Sequence, residues 1–179
     1  KTAEKAPSYF LKHRPIRKDA MLWLAKTQIE LDKYDEAAIT LNRLRKDPTI
    51  HKSLKSELHT IEAYAAMKQA EYKNVIKPLE AAIATTRNKK EKTRYTFILA
   101  QLHPEAGRGQ EAYAQFEKVL KYKPEYEMYF NAQLSIAKNA WANGDGSLDE
   151  AENQLQKMLK DDKNEEYLDQ VYFSLADIE

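Results

Sequence analysis

Lys33-Tyr34-Asp35-Glu36-Ala37-Ala38-Ile39 carries the architecture of this chain, because the sequence restates it. The echoes are Glu71-Tyr72-Lys73-Asn74-Val75-Ile76, then Gly109-Gln110-Glu111-Ala112-Tyr113, then Ser147-Leu148-Asp149-Glu150-Ala151-Glu152. The small residues at their centres, Ala37, Val75, Ala112 and Ala151, stand 38, 37 and 39 residues apart. Four residues beyond each comes a larger apolar residue (Leu41, Leu79, Phe116, Leu155), and three further on another apolar position (Leu44, Ala82, Val119, Met158). That spacing draws one face of a helix. Upstream, each unit has an apolar first helix with a small residue in its middle: Ala25, Ala63, Ala100 and Ala137. A period of this length marks stacked helix pairs, since one pair cannot bury its apolar face alone.

Neighbouring windows agree. Met21, Leu22, Leu24, Ala25, Gln28, Ile29 and Leu31 recur at helical spacing. Asp32-Lys33-Tyr34-Asp35-Glu36 gives the next helix an acidic start, and Asp47-Pro48 ends it. No alternating run of Val, Ile and Thr suggests a strand. The pattern resembles the tetratricopeptide repeat over essentially the whole chain. The resemblance implies an all-α fold, a right-handed superhelix of antiparallel helix pairs. Repeats are expected at 19–52, 56–90, 93–126 and 129–163. Residues 1–15 read as the end of a preceding repeat, with a helix at 3–13 closed by Pro15, and 165–179 as the start of a truncated one. The units exceed the family's 34 residues by about four, so longer turns between them are expected. Pro78 removes the hydrogen bond to the carbonyl of Asn74, which predicts a kink or a delayed helix start. Pro104, in Leu102-His103-Pro104-Glu105-Ala106-Gly107, predicts a first helix ending about one turn early.

Composition narrows the function. At 179 residues and 42% hydrophobic content, the chain is long and apolar enough to bury a core. Its 4 Gly argue against the many tight turns of a sandwich or barrel. The absence of Cys removes disulfides, thiolate nucleophiles and Cys-ligated metals. No apolar run approaches the roughly 18 residues of a membrane span, and the chain's first residues do not read as a signal peptide. The chain begins at Lys1 without Met and stops at Glu179 within a helical pattern. It is therefore expected to be a fragment, with any signal or lipid anchor outside it.

Catalytic and metal-binding constellations are missing. His13, His51, His59 and His103 include no pair at i, i+3 or i, i+4, the spacing two ligands on one helix face need. Asn143-Gly144-Asp145-Gly146-Ser147-Leu148-Asp149 is similar to a calcium loop, but Leu148 and Gln154 stand where that loop needs Gly and Glu. It reads instead as an insertion in the turn between helices, with Ser147 or Asp149 as N-cap. Neither a phosphate-cradling Gly-rich loop nor a Gly-x-Ser-x-Gly elbow is present. Asp161-Asp162 and Glu165-Glu166 lie in a polar segment and read as a solvated run. No enzyme, cofactor or metal is expected. Of the 18 aromatics 11 are Tyr, and Tyr95, Tyr122, Tyr126, Tyr129, Tyr167 and Tyr172 mostly fall at unit boundaries. They read either as amphipathic filler between stacked helices or as exposed interface anchors.

In the family resembled, first helices line a concave groove that takes a peptide or a partner helix. The resemblance implies groove-facing contacts at Lys26 and Glu30, Tyr64 and Lys68, Arg94 and Gln101, and Asn131 and Lys138. Four of these are basic and one is acidic, which suits an acidic or carboxylate-bearing ligand. The competing reading is a solvated face with no ligand. The family's carboxylate clamp uses Asn on the first two first-helices; Lys26 and Ile61 hold those places, so that clamp is absent. Residues 1–124 carry 25 basic and 15 acidic residues, and 125–179 carry 4 and 13, so the net charge of +1 hides a division. Charges so separated do not cancel locally, because screening acts over about 8 Å. Opposite ends are expected to attract different partners, or each other in a weak head-to-tail stack. Nucleic acid is not expected, since the bases are interleaved with acids and no stacking aromatic cluster accompanies them.

Four segments go further: Ala20-Met21-Leu22-Trp23-Leu24-Ala25-Lys26-Thr27, Glu91–Leu102, Glu125-Tyr126-Glu127-Met128-Tyr129-Phe130-Asn131-Ala132, and Met158–Gln170 with its Lys160-Asp161-Asp162-Lys163-Asn164 run. They resemble the repeat-containing gliding-motility lipoproteins of Bacteroidetes, the SprE/PorW type, linked to type IX secretion. That resemblance implies a lipoprotein on the periplasmic side of the outer membrane, whose repeats contact another secretion-system component. Its membrane attachment would run through an anchor outside this segment. His103-Pro104-Glu105-Ala106 departs from the pattern. The alternative is a structural spacer within a larger lipoprotein, with the functional site elsewhere.

Overall fold

A computed structural model describes residues 16–105, 107–142 and 148–178, with 139–142 as backbone only. In chain order come α1 (Ile16–Glu30), α2 (Tyr34–Arg45), α3 (Lys52–Lys68), α4 (Tyr72–Thr85), α5 (Lys89–Glu105), α6 (Gly109–Lys121), α7 (Tyr126–Ala142) and α8 (Leu148–Leu159). A 3₁₀ helix (Asp162–Tyr167) and α9 (Leu168–Ile178) follow. Among the described residues there is no strand.

The repeated positions explain the packing. Ala37, Val75, Ala112 and Ala151, the larger residues four beyond them, and those three further on are all buried, as are Ala25, Ala63, Ala100 and Ala137. The small residues let helices of a pair approach; the larger ones fill the gap to the next pair. Accordingly α1 packs on α2, α3 on α4, α5 on α6 and α7 on α8, and each pair packs on the first helix of the next. Among the described residues the hydrophobic core is four successive clusters, each drawn from three helices, such as Leu22, Ala37, Leu41 and Leu58 across α1, α2 and α3. A fully buried Leu or Phe contributes about 1.5–3 kcal/mol, so each cluster ties a pair to its neighbour. The result is an all-α superhelix of antiparallel helix pairs.

Three turns within pairs share one geometry. The N–H of Lys33 donates to the carbonyl of Gln28 at 2.8 Å, that of Glu71 to Ala66 at 2.9 Å, and that of Arg108 to His103 at 2.9 Å. The residue before each donor is left-handed: Asp32 at φ +57°, Ala70 at +56° and Gly107 at +71°. This is a helix C-cap in which orphan carbonyls regain donors. It corrects the expectation for Pro104. α5 ends at Glu105, five residues past Ala100, just as α3 ends five past Ala63, so no turn is lost. Gly107 closes the helix cleanly around the proline. Pro78 does not delay α4 either, which begins six residues earlier at Tyr72. Longer connections appear at 46–51 and 160–167, but 86–88 is short.

The polar run Asp161–Tyr167 is built as a latch. Asp161 caps the 3₁₀ helix by accepting from the N–H of Lys163 at 3.1 Å. Asn164 is buried; its amide donates to the carbonyl of Met158 at 2.7 Å and its oxygen accepts from the Tyr126 hydroxyl at 2.6 Å. Tyr167 stacks on Phe130 with ring centroids 4.6 Å apart. Tyr126 and Tyr167 thus serve as filler between α7 and α9, whereas Tyr172 stands 60% exposed. Asp149 lies in the first turn of α8, which begins at Leu148, and so does not cap it. Ser147, the loop at 143–147, the expected helix at 3–13 and His13 lie outside the described residues.

Candidate protein-binding groove

The eight residues expected to face the groove fall into two groups. The first is already paired between successive first helices. Lys26 Nζ on α1 lies 2.9 Å from Glu57 Oε1 on α3, and 4.6 Å from the centroid of the Trp23 ring. Glu30 accepts from the Tyr64 hydroxyl and, at 3.2 Å, from Lys68 Nζ. Those two bonds hold the Glu30 carboxyl below its ordinary range, Tyr64 first and Lys68 second, while Glu30 pushes both partners up. Lys138 on α7 reaches Asp177 on α9 at 3.7 Å and lies over the Phe173 ring. Lys26, Lys68 and Lys138 are therefore not unpaired cations awaiting a ligand. Such exposed pairs contribute little to stability, but they align neighbouring units.

The second group is open. Arg94 is exposed and pairs with none of the described side chains, and Gln101 is exposed as well. Asn131 donates only to the carbonyl of Glu127 at 2.8 Å, within its own helix. Arg94 and Asn131 meet in a cleft of about 660 Å³ between α5 and α7, floored by the turn Tyr122–Glu125. A cleft of about 640 Å³ between α3 and α5 is floored by Thr85–Asn88. The two are equivalent. Moving Lys52, Ser53, Glu57, Thr60, Thr86 and Glu91 of the first by 37 positions gives Lys89, Lys90, Arg94, Phe97, Lys123 and Met128 of the second.

Reading helix faces alone misses Lys52, Arg87, Lys89 and Lys123. The signal was nevertheless present. Lys52 and Lys89 open their helices, where the dipole favours acids, not bases. Arg87 and Lys123 sit at inter-unit turns, and Lys123 takes a φ of +52°.

His51 and His59 make structural contacts. His51 caps α3 by accepting from the N–H of Ser53 at 3.3 Å. His59 lies 3.2 Å from Glu62, which Arg45 also bonds at 2.9 Å across the α2–α3 boundary. Burial pushes the Glu62 carboxyl up, but the bonds from His59 and Arg45 outweigh it and hold the group below its ordinary range. Among the described residues no group of three or more His, Asp or Glu converges as a metal site, and no helix is long and apolar enough to cross a membrane.

Residues 19–49 match the tetratricopeptide-repeat family model. The match covers α2 and all but the first turn of α1. It fits the stacked pairs seen through the rest of the described chain. Repeats of this type form an all-helical scaffold that binds proteins. No curated protein matches the chain.

Proposed function

We propose that this chain is a non-catalytic scaffold for a protein or peptide partner, docked along its first helices. The observation that carries the reading is the pair of equivalent open clefts at α3–α5 and α5–α7. A surface repeated in register suits an extended partner that spans several units. Arg94, Gln101 and Asn131 are the contacts we favour among the eight; Lys26, which lines the first cleft, and Glu30, Tyr64, Lys68 and Lys138 outside the clefts are already paired. In the cell we place the scaffold at the periplasmic side of the outer membrane, supporting type IX secretion and gliding motility through an anchor outside this segment. The four resembling segments support that placement. Crosslinking in source cells, followed by identification of captured proteins, tests it: an envelope or secretion partner is expected, and recovery of none overturns it. The division of charge between 1–124 and 125–179 supports a weak head-to-tail stack; self-association insensitive to salt would contradict it.

A spacer role is the second reading. The Lys26–Glu57, Glu30–Lys68 and Lys138–Asp177 pairs favour it, since they stiffen the array without a ligand. Deleting the segment with its flanks kept in register would then leave secretion intact.

A further inference from the structure

We propose that the two equivalent clefts form one track for an acidic, extended polypeptide segment whose carboxylates alternate with apolar side chains. The proposal rests on the scaffold reading and adds the chemistry of the partner. Its basis is what remains after the clefts' own charges are matched. In the first cleft Glu57 is taken by Lys26, and Glu91 accepts from the Thr86 hydroxyl at 2.8 Å. Lys52 and Arg87 pair with no described side chain. In the second, Lys90 takes Glu125 at 3.3 Å, leaving Lys89, Arg94 and Lys123 against Glu127. Unmatched cations therefore outnumber unmatched acids in both clefts. A carboxylate entering either one gains a charge-assisted bond without having to displace an existing partner.

The apolar lining sets the rest of the ligand. Ile61 and Tyr95 line the first cleft; Phe97, Tyr122 and Met128 line the second. Each cleft has room for a few side chains, within the usual size of a binding cleft. Glu91 and Glu127 disfavour a continuous polyanion such as a nucleic-acid backbone, while a polypeptide can place apolar groups opposite them. The clefts lie apart from the paired Glu30–Tyr64–Lys68 cluster, so occupation leaves that cluster in place.

Fluorescence anisotropy on the intact chain tests the proposal. The probes are a labelled peptide of repeated Asp-Leu-Glu-Pro, its Asn-Leu-Gln-Pro counterpart and an oligothymidylate of equal charge. The acidic peptide is expected to bind at least about tenfold more tightly than the amide peptide. Lys52→Glu with Arg87→Glu, or Arg94→Glu with Lys123→Glu, should each weaken it about tenfold. Lys73→Glu with Lys77→Glu, exposed on α4, should leave it unchanged. Equal binding of the two peptides overturns the acidic class; if the cleft substitutions weaken both peptides alike, the groove and the scaffold reading survive it. If neither peptide responds to the cleft substitutions, the groove fails as well. Stronger binding of oligothymidylate than of the acidic peptide overturns the proposal in favour of nucleic acid.

Discussion

His103 sits in the last turn of α5 at 2% exposure, and neither ring nitrogen bonds to any described residue. Burial pushes its imidazole below the ordinary 6.5; Glu111, Arg108 and Lys118 from the α6 side and Glu80 from α4 face it and modulate that shift. The unfolded chain therefore takes up a proton near pH 6.5 that the folded chain refuses. Stability should fall as pH drops below 6.5, until the folded group protonates too. His103→Leu should flatten that part of the profile and raise stability at pH 7 by about 1 kcal/mol, because it removes an unpaired buried polar group of similar size. Thermal melts across pH, compared between the two proteins, check both points. A residue of this kind is invisible to periodicity, which places it on a helix but says nothing of its partners. Ala37, Leu41 and Leu44 were legible for the opposite reason: burial alone selects them, and burial has a period. The Lys26–Glu57 and Glu30–Tyr64 contacts were not legible, since they depend on how one unit is set against the next.

At the scale of elements, the shared turn after α1, α3 and α5 is the clearest case of structure that the sequence hides. Asp32, Ala70 and Gly107 have no side chain in common, yet all three take the left-handed cap. The helices dictate it, and only Gly107 adopts it without steric cost. Ala70→Gly should stabilise the chain by about 0.5–1 kcal/mol. Gly107→Ala should destabilise it by about 1 kcal/mol through the backbone alone, because a Cβ there meets nothing within 4 Å. Denaturant melts of both variants measure this. The same element logic gives the Asp161–Tyr167 run a structural role. Asn164→Ala strips a partner from Tyr126 and from the Met158 carbonyl, and should cost about 2–3 kcal/mol. Hydrogen exchange should show α9 loosening before α1–α4.

The whole molecule is a one-dimensional stack, so equivalent residues differ by what lies beside them. Trp23 on α1 and Ile61 on α3 stand 38 residues apart in the same register. Ile61 is buried against the preceding pair, whereas Trp23 is 65% exposed on a stripe with Ile16, Leu24 and Leu31. Ile61→Ser should cost about 3 kcal/mol and Trp23→Ser less than about 1 kcal/mol, as equilibrium unfolding would show. The fold class was readable from the 37–39-residue period because stacking repeats one packing problem. Lys26, Arg94 and Asn131 line the proposed clefts, whereas Lys52, Arg87, Lys89 and Lys123 sit at helix starts and turns that a face-by-face reading skips. At this scale the proposed role of the array is to dock partners along its first helices. Photo-crosslinkers placed in source cells at position 94, and separately at position 73 on the far side of the array, test it most directly. Protein adducts are expected from 94 and few from 73. Adducts from 73 alone, or from neither, would contradict it.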